Sequence, residues 1–290
     1  MGNRLAGKVA VITGGASGIG LGAVELFVAE GADVIVADIQ DDKAAKLEER
    51  FRDKLLYTHC DVTSEADLAR VMTLARDAFG GLDILFNNAG VSDGMRSLAT
   101  IDAEQWSWIL DLLVRGPALG MKHAIPFMRA RGGGSIINTA SVAGLQAGFG
   151  PIAYSSAKAS VIHMSRLAAA QLSPQGIRVN AICPGLTATS IFGTSRGLSR
   201  AVADQMADML AHSGGAVQPI GRPGLPSDIA EAALYLASDA AAFVTGVHLV
   251  VDGGITIGAR HSWDPDVRSP FQDLLEPQQS PEPARADGMA

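Results

Sequence analysis

The chain has only two cysteines among its 290 residues, Cys60 and Cys183, which is too few for a disulfide framework and the wrong spacing for zinc. Two inert thiols in a reducing compartment are the expectation. Its six histidines include no pair at i,i+3 or i,i+4, so no metal is expected. Lysine and arginine form no run, and the net charge is −7, so nucleic acid is not an expected partner. No apolar run approaches the roughly eighteen residues that would span a membrane, and no apolar signal region follows a basic start. A cytoplasmic protein without a membrane partner is expected. Tyrosine is scarce as well, with three copies at positions 57, 154 and 235.

What the chain does have is alternation. Short β-branched runs at Val9–Thr13, Val34–Ala37, Leu55–Cys60, Ile84–Asn87, Ser135–Thr139, Arg178–Cys183 and Val247–Val251 read as seven strands. Amphipathic stretches lie between most of them. In residues 66–79, Leu68, Val71, Met72, Ala75 and Phe79 form one apolar stripe, and Ser64 with Asp67 resembles a capping box. Strands apolar on both faces, alternating with helices, predict a single-domain α/β doubly wound Rossmann fold: a seven-stranded parallel sheet with helices on both faces. That domain is expected to span residues 1–258. Residues 190–218 depart from the pattern and read as a helical insertion over the site, and 259–290 as an extended or disordered tail.

The first strand leads into Thr13-Gly14-Gly15-Ala16-Ser17-Gly18-Ile19-Gly20, and this loop opens a helix. Glycines allow backbone to approach a pyrophosphate closely, and a helix N-terminus offers free N–H groups to it. Asp38 ends the second strand, where a carboxylate would accept hydrogen bonds from the adenine ribose. A carboxylate there would repel a 2′-phosphate, and no cation stands at Gly15, Ala16, Ile39 or Gln40 to offset it. The cofactor expected is therefore NAD.

Tyr154 has Lys158 one helical turn later, and Ser141 lies at the end of the fifth strand. A phenol with an ordinary pKa of about 10 is a poor base unless a fixed cation favours its anion. Residues at i and i+4 share a helix face, so Lys158 can supply that cation; the other two tyrosines carry Asp at the fourth position.

These motifs in this order resemble the short-chain dehydrogenase/reductase family over about Leu5 to Gly258. The resemblance rests on the Thr13–Gly20 loop, Asp61-Val62, Asn87-Asn88-Ala89-Gly90, Ser141, Tyr154 with Lys158, Pro184-Gly185 and Val251-Asp252-Gly253-Gly254. It implies that Gly14, Ser17, Gly18, Ile19 and Gly20 hold the dinucleotide, and that Asp61 and Val62 flank its adenine. Asn88, Ala89 and Gly90 would line the groove, and Pro184, Gly185, Thr187 and Thr189 would meet the nicotinamide amide. It further implies that Tyr154 is the general acid/base, that Ser141 hydrogen-bonds the substrate oxygen and that Lys158 holds the nicotinamide ribose. One position departs from the family pattern. Counting from Trp106 and Gly116 places Leu113 where the family usually has an asparagine that holds water in a proton relay. Either the relay uses backbone and water alone, or a subgroup carries leucine here, or the protein binds cofactor with little turnover.

Ile191, Phe192, Leu198, Met206, Met209 and Leu210 of the insertion suggest an apolar lid, with Gln146, Phe149 and Ile152 adding to a pocket wall. With no charged anchor in view, the expected small-molecule substrate is a neutral hydrophobic or alicyclic secondary alcohol, or its ketone. Ala157, Val161, Met164 and Ala168 form a small-residue helix face, and by the resemblance a homotetramer is expected. A hydrolase reading is also open. Gly193-Thr194-Ser195-Arg196-Gly197 matches a nucleophile elbow, with Asp228 or Asp239 and His248 or His261 in triad order, but no buried strand precedes the serine.

Overall fold

Val9 and Val11 face one side of the first strand and Ala10 and Ile12 the other, and all four are buried, so this strand must be covered on both faces. The computed structural model describes residues 3–94, 98–213 and 218–275. Among these, seven strands form one parallel sheet: β1 Val9–Thr13, β2 Asp33–Asp38, β3 Leu55–His59, β4 Ile84–Asn87, β5 Gly134–Thr139, β6 Ile177–Pro184 and β7 His248–Val251. Their order is β3-β2-β1-β4-β5-β6-β7. Chain direction across the sheet reverses between β1 and β4, and doubly wound folds bind ligands at such a point.

The helices are α1 Gly18–Ala29, α2 Asp41–Phe51, α3 Glu65–Phe79, α4 Ala103–Leu110, α5 Gly116–Ala130, α6 Ile152–Leu172, α7 Ile191–Thr194, α8 Arg200–His212, α9 Pro226–Ala237 and α10 Pro270–Leu275. Two separate cores sandwich the sheet. On one face Ala23, Val24 and Phe27 of α1 meet Ile229 and Leu234 of α9 over Ile12, Val36 and Phe86. On the other, Leu68, Val71 and Met72 of α3 meet Met121 and Met128 of α5 over Val11, Ile35 and Leu85. At about 25 cal/mol per Å2 of apolar surface, each buried Leu, Ile or Phe contributes roughly 1.5–3 kcal/mol.

The capping box predicted at Ser64 forms only by half. Ser64 Oγ accepts from Asp67 N at 3.3 Å, whereas Asp67 Oδ2 accepts from Asp61 N at 3.1 Å. Asp67 thus pins the turn that presents Asp61. A buried polar chain fixes α6 to the sheet: Asn87 Nδ2 donates to Asn138 Oδ1 at 2.8 Å, and Asn138 Nδ2 donates to Ser165 Oγ at 2.9 Å.

Two expectations change. Ala157 and Val161, predicted to face a partner chain, are buried inside this one, because α6 packs on the 3-10 turn Val142–Gly144, on β6 and on α4. Ala159, Ser160, His163 and Leu167 face outward instead. The segment 259–290, expected to be an extended or disordered tail, carries a 3-10 turn at Arg260–Ser262 and the helix α10 among its described residues. An Arg260–Asp264 ion pair at 2.8 Å, one helical turn apart, supports that local structure. Residues 276–290 of the same expectation lie outside those described, as do 214–217 of the insertion.

Candidate active site

The loop between β1 and α1 is tied from three sides. Asp38, at the end of β2 and 4% exposed, accepts from Ala16 N through Oδ2 and from Gln40 N through Oδ1, each at 2.9 Å. Gln40 Nε2 also reaches Ser17 Oγ at 3.1 Å. From β4, Asn88 Nδ2 donates to the carbonyls of Thr13 and Gly14 at 3.1 and 3.2 Å, and Asn88 N and Ala89 N donate to Thr13 Oγ1. Gly14 holds φ at +65°, and a β-carbon on it would stand 2.8 Å from Ala89 Cα. A β-carbon on Gly20 would overlap the Gly14 carbonyl oxygen and approach Asn88 Nδ2 to 2.6 Å. Glycine is therefore required at both positions for the loop to close on Asn88.

This cradle fits a dinucleotide. Gly18 and Ile19 begin α1, so its free N–H groups face the loop. Asp38 Oδ1 also accepts from Gln40 Nε2 at 3.3 Å, whereas Oδ2, bonded to Ala16 N alone, retains a lone pair for a ribose hydroxyl. Asp61 is exposed after β3, with Val62 buried behind it. On the far side Pro184 ends β6, and Gly185 N donates to Val251 O at 3.0 Å. Leu186 N donates to the buried Gln218 Oε1 at 3.0 Å, and Thr187 bridges to Gly224. Thr189 meets Gly18, whose β-carbon would lie 3.2 Å from Thr189 Cγ2. The residues predicted for the cofactor thus lie along the C-terminal ends of the strands, where they frame a groove.

The trio stands at the end of that groove. Ser141 follows β5 in extended backbone, and its Oγ accepts from Ala143 N at 3.1 Å. Tyr154 and Lys158 lie in the first two turns of α6. Lys158, 4% exposed, donates from Nζ to the Thr139 carbonyl at 2.6 Å and sits 5.6 Å from the centre of the Tyr154 ring. Burial raises the Tyr154 pKa above its ordinary 10, and the neighbouring Ser141 hydroxyl opposes the rise. Burial also lowers the Lys158 pKa to about 8. The sequence suggested that Lys158 would favour the phenolate, but in this arrangement desolvation outweighs any such help.

A family model described as enoyl-(acyl carrier protein) reductase matches residues 14–256. The chain belongs to the short-chain dehydrogenase/reductase family. It is 40% identical over 259 residues to cis-4-hydroxycyclohexanecarboxylate dehydrogenase of Sinomonas cyclohexanicum, covering 88% of this chain and 99% of that one. It is 42% identical over 253 residues to 2,5-dichloro-2,5-cyclohexadiene-1,4-diol dehydrogenase of Sphingobium indicum, covering 87% and 98%. To (+)-borneol dehydrogenase 2 of Salvia officinalis it is 39% identical over 256 residues, covering 87% and 90%. As a dehydrogenase of this family it is an oxidoreductase and takes a nicotinamide cofactor.

Within this short-chain dehydrogenase/reductase, Leu113 lies in a π-helical turn, Asp111–Arg115, between α4 and α5. It is 1% exposed and packs with Ile109, Ala153 and Ala157, with Tyr154 at the edge of the cluster. The hydrolase constellation does not assemble. Ser195 Oγ donates to the Phe192 carbonyl at 3.2 Å, Asp228 is held by both terminal nitrogens of Arg222, and His248 pairs with Arg166. Of the predicted lid residues, Leu198 and Met209 are 39% and 68% exposed, while Ile191, Phe192, Met206 and Leu210 are half-buried. Gln146 and Phe149 open onto a cavity of about 580 Å3 that they share with Ile255, Thr256, Arg260 and Trp263. The segment after β7, expected to be a tail, therefore forms part of a wall. No helix among the described residues is long and apolar enough to cross a membrane, and no group of metal-ligating side chains is found among them.

Two features near the trio were invisible in the sequence. The Thr139 carbonyl that holds Lys158 is a backbone group, and no residue pattern reports it. Asp93, in a glycine-flanked loop after β4, reads as a solvated turn residue, yet it is 8% exposed.

Proposed function

We propose that this protein is an NAD-linked dehydrogenase/ketoreductase that interconverts a neutral alicyclic or hydrophobic secondary alcohol and its ketone. The observation that carries this is the placement of Ser141, Tyr154 and Lys158 together at the end of the groove that the Gly14–Gly20 loop opens. Three relatives named for cyclic alcohols or diols support the substrate class.

NAD, when bound, accepts or returns a hydride at the substrate carbon. Asp38, the Gly14, Ser17, Gly18, Ile19 and Gly20 loop, Asp61, Val62, Asn88–Gly90 and the Pro184–Thr189 stretch would hold it. The protein's own part is proton movement at the Tyr154 hydroxyl, with Ser141 Oγ fixing the substrate oxygen beside it. Lys158 Nζ, held by the Thr139 carbonyl, would orient the ribose and pass a proton toward solvent. NAD is favoured over NADP because Asp38 is buried at the ribose position. The nearby Lys43, on α2, is engaged with Asp204 of α8 at 2.6 Å.

The half-exposed Trp108 of α4 and Leu167 of α6 lie on neighbouring helices and supply an apolar surface for a homotetramer, which light scattering would detect. Two buried free thiols fit a reducing compartment, and the cytoplasm is the proposed location. The activity test is an alcohol and ketone panel with oxidised and reduced NAD and NADP, followed by nicotinamide absorbance. Turnover that persists in Tyr154→Phe would refute the mechanism.

A further inference from the structure

Asp93 presents a carboxylate oxygen that nothing among the described residues satisfies. It is 8% exposed, its Oδ1 is fully buried without a hydrogen-bond partner, and no donor or cation meets either oxygen among the described residues. Buried polar groups are nearly always paired, and a carboxylate left bare loses its hydration without return.

The loop carrying it passes beside the catalytic residues. A β-carbon on Gly90 would lie 3.9 Å from Lys158 Nζ and 3.6 Å from Leu113 Cδ2. Val91 packs in the cluster that borders Tyr154. At the other end, a β-carbon on Gly94 would lie 3.9 Å from the Ser195 carbonyl, at the end of α7. Asp93 therefore sits between the catalytic helix and the segment that covers the site. A ligand hydroxyl entering there would supply the partner that Oδ1 lacks, and turning about the terminal torsion exchanges the two oxygens.

We infer that Asp93 recognises a second hydroxyl group on the substrate, so that the preferred substrates are cyclic diols. This rests on the dehydrogenase reading above. A carboxylate accepts hydrogen bonds, so at this place it favours a hydroxyl over a second carboxylate. A ring with one alcohol leaves it bare, and a site built to meet a hydroxyl discriminates against the analogue that lacks it.

The test compares kcat/KM for 1,4-cyclohexanediol, cyclohexanol and 4-hydroxycyclohexanecarboxylate, with NAD and with NADP, in wild type, Asp93→Asn and Asp93→Leu. All three substrates meet the same trio, so the ratios isolate the distant group. The diol-to-cyclohexanol ratio should fall about tenfold or more in Asp93→Leu and several-fold in Asp93→Asn. The hydroxy acid should gain relative to cyclohexanol in both variants as the repulsion disappears. Ratios unchanged from wild type, with cyclohexanol still turned over, would overturn the Asp93 assignment alone. Absence of turnover of every substrate by wild type with either cofactor would remove the dehydrogenase reading and this inference together. Should Asp93→Leu not fold, the near-isosteric Asp93→Asn decides on the same two ratios.

Discussion

Lys158 donates from its ammonium to the carbonyl of Thr139, the last residue of β5, at 2.6 Å, and that bond fixes the N-terminal half of α6 to the sheet. The cost is a buried charge. The Lys158 pKa falls from an ordinary 10.5 to about 8, so between those values the unfolded chain binds more protons than the folded one, and stability rises with pH. Below about 8 both states are protonated and the penalty, about 3 kcal/mol, is fully present. Lys158→Met should therefore be more stable than wild type near neutral pH by roughly 1–3 kcal/mol, after about 1 kcal/mol is offset by the lost hydrogen bond. The gap should close as pH approaches about 10.5. Urea denaturation across that range checks it, and a gap that does not vary with pH would contradict it.

Tyr154 is kept protonated at neutral pH, since burial raises its pKa and Ser141 only opposes that rise. A protonated phenol is ready to give a proton to a ketone but must first lose one to oxidise an alcohol. Oxidation kcat/KM should then climb with pH over about 6 to 9, while reduction holds or falls. Tyr154→Phe should lower both by roughly 100-fold or more. Parallel pH profiles for the two directions would count against Tyr154 as the proton carrier.

The sheet was legible because strand burial writes itself as β-branched runs: β1 and β4 fall at Val9–Thr13 and Ile84–Asn87 as the pattern predicts. The closing of the Gly14–Gly20 loop against Asp38 was legible because glycines that turn the backbone and a strand-end carboxylate stand in that spacing. Asp93 was not, since its burial comes from a loop folding between α6 and α7, which no local pattern encodes. The helix face of α6 was misassigned for a related reason. Small residues permit close packing but do not say whether the neighbour belongs to the same chain, and Ala157 and Val161 turn out to pack within it.

Gly20 tests the cradle directly. Gly20→Ala places a methyl against the Gly14 carbonyl and Asn88 Nδ2, both of which hold the loop shut. The loop must open to admit it, at about 1–3 kcal/mol. Thermal melting should show the loss of stability. Fluorescence titration should show at least about a tenfold weaker NADH affinity, because the N–H groups at the start of α1 would no longer converge. Unchanged affinity would mean that the pyrophosphate is held elsewhere.

Leu113 fills an apolar pocket where an asparagine would have to find partners. It lies in the π-helical turn, 1% exposed, among Ile109, Ala153 and Ala157, and its Cδ2 points toward Gly90 beside Lys158. A π turn re-spaces the backbone carbonyls of a helix. Leu113→Asn removes apolar packing and buries an amide, at roughly 2–4 kcal/mol. The melting temperature should drop by several degrees or more. Turnover and its pH profile, measured below that transition, should not improve over wild type. A rise in rate, or a shift in the profile, would show that the side chain at this position carries the proton and that leucine had been limiting it.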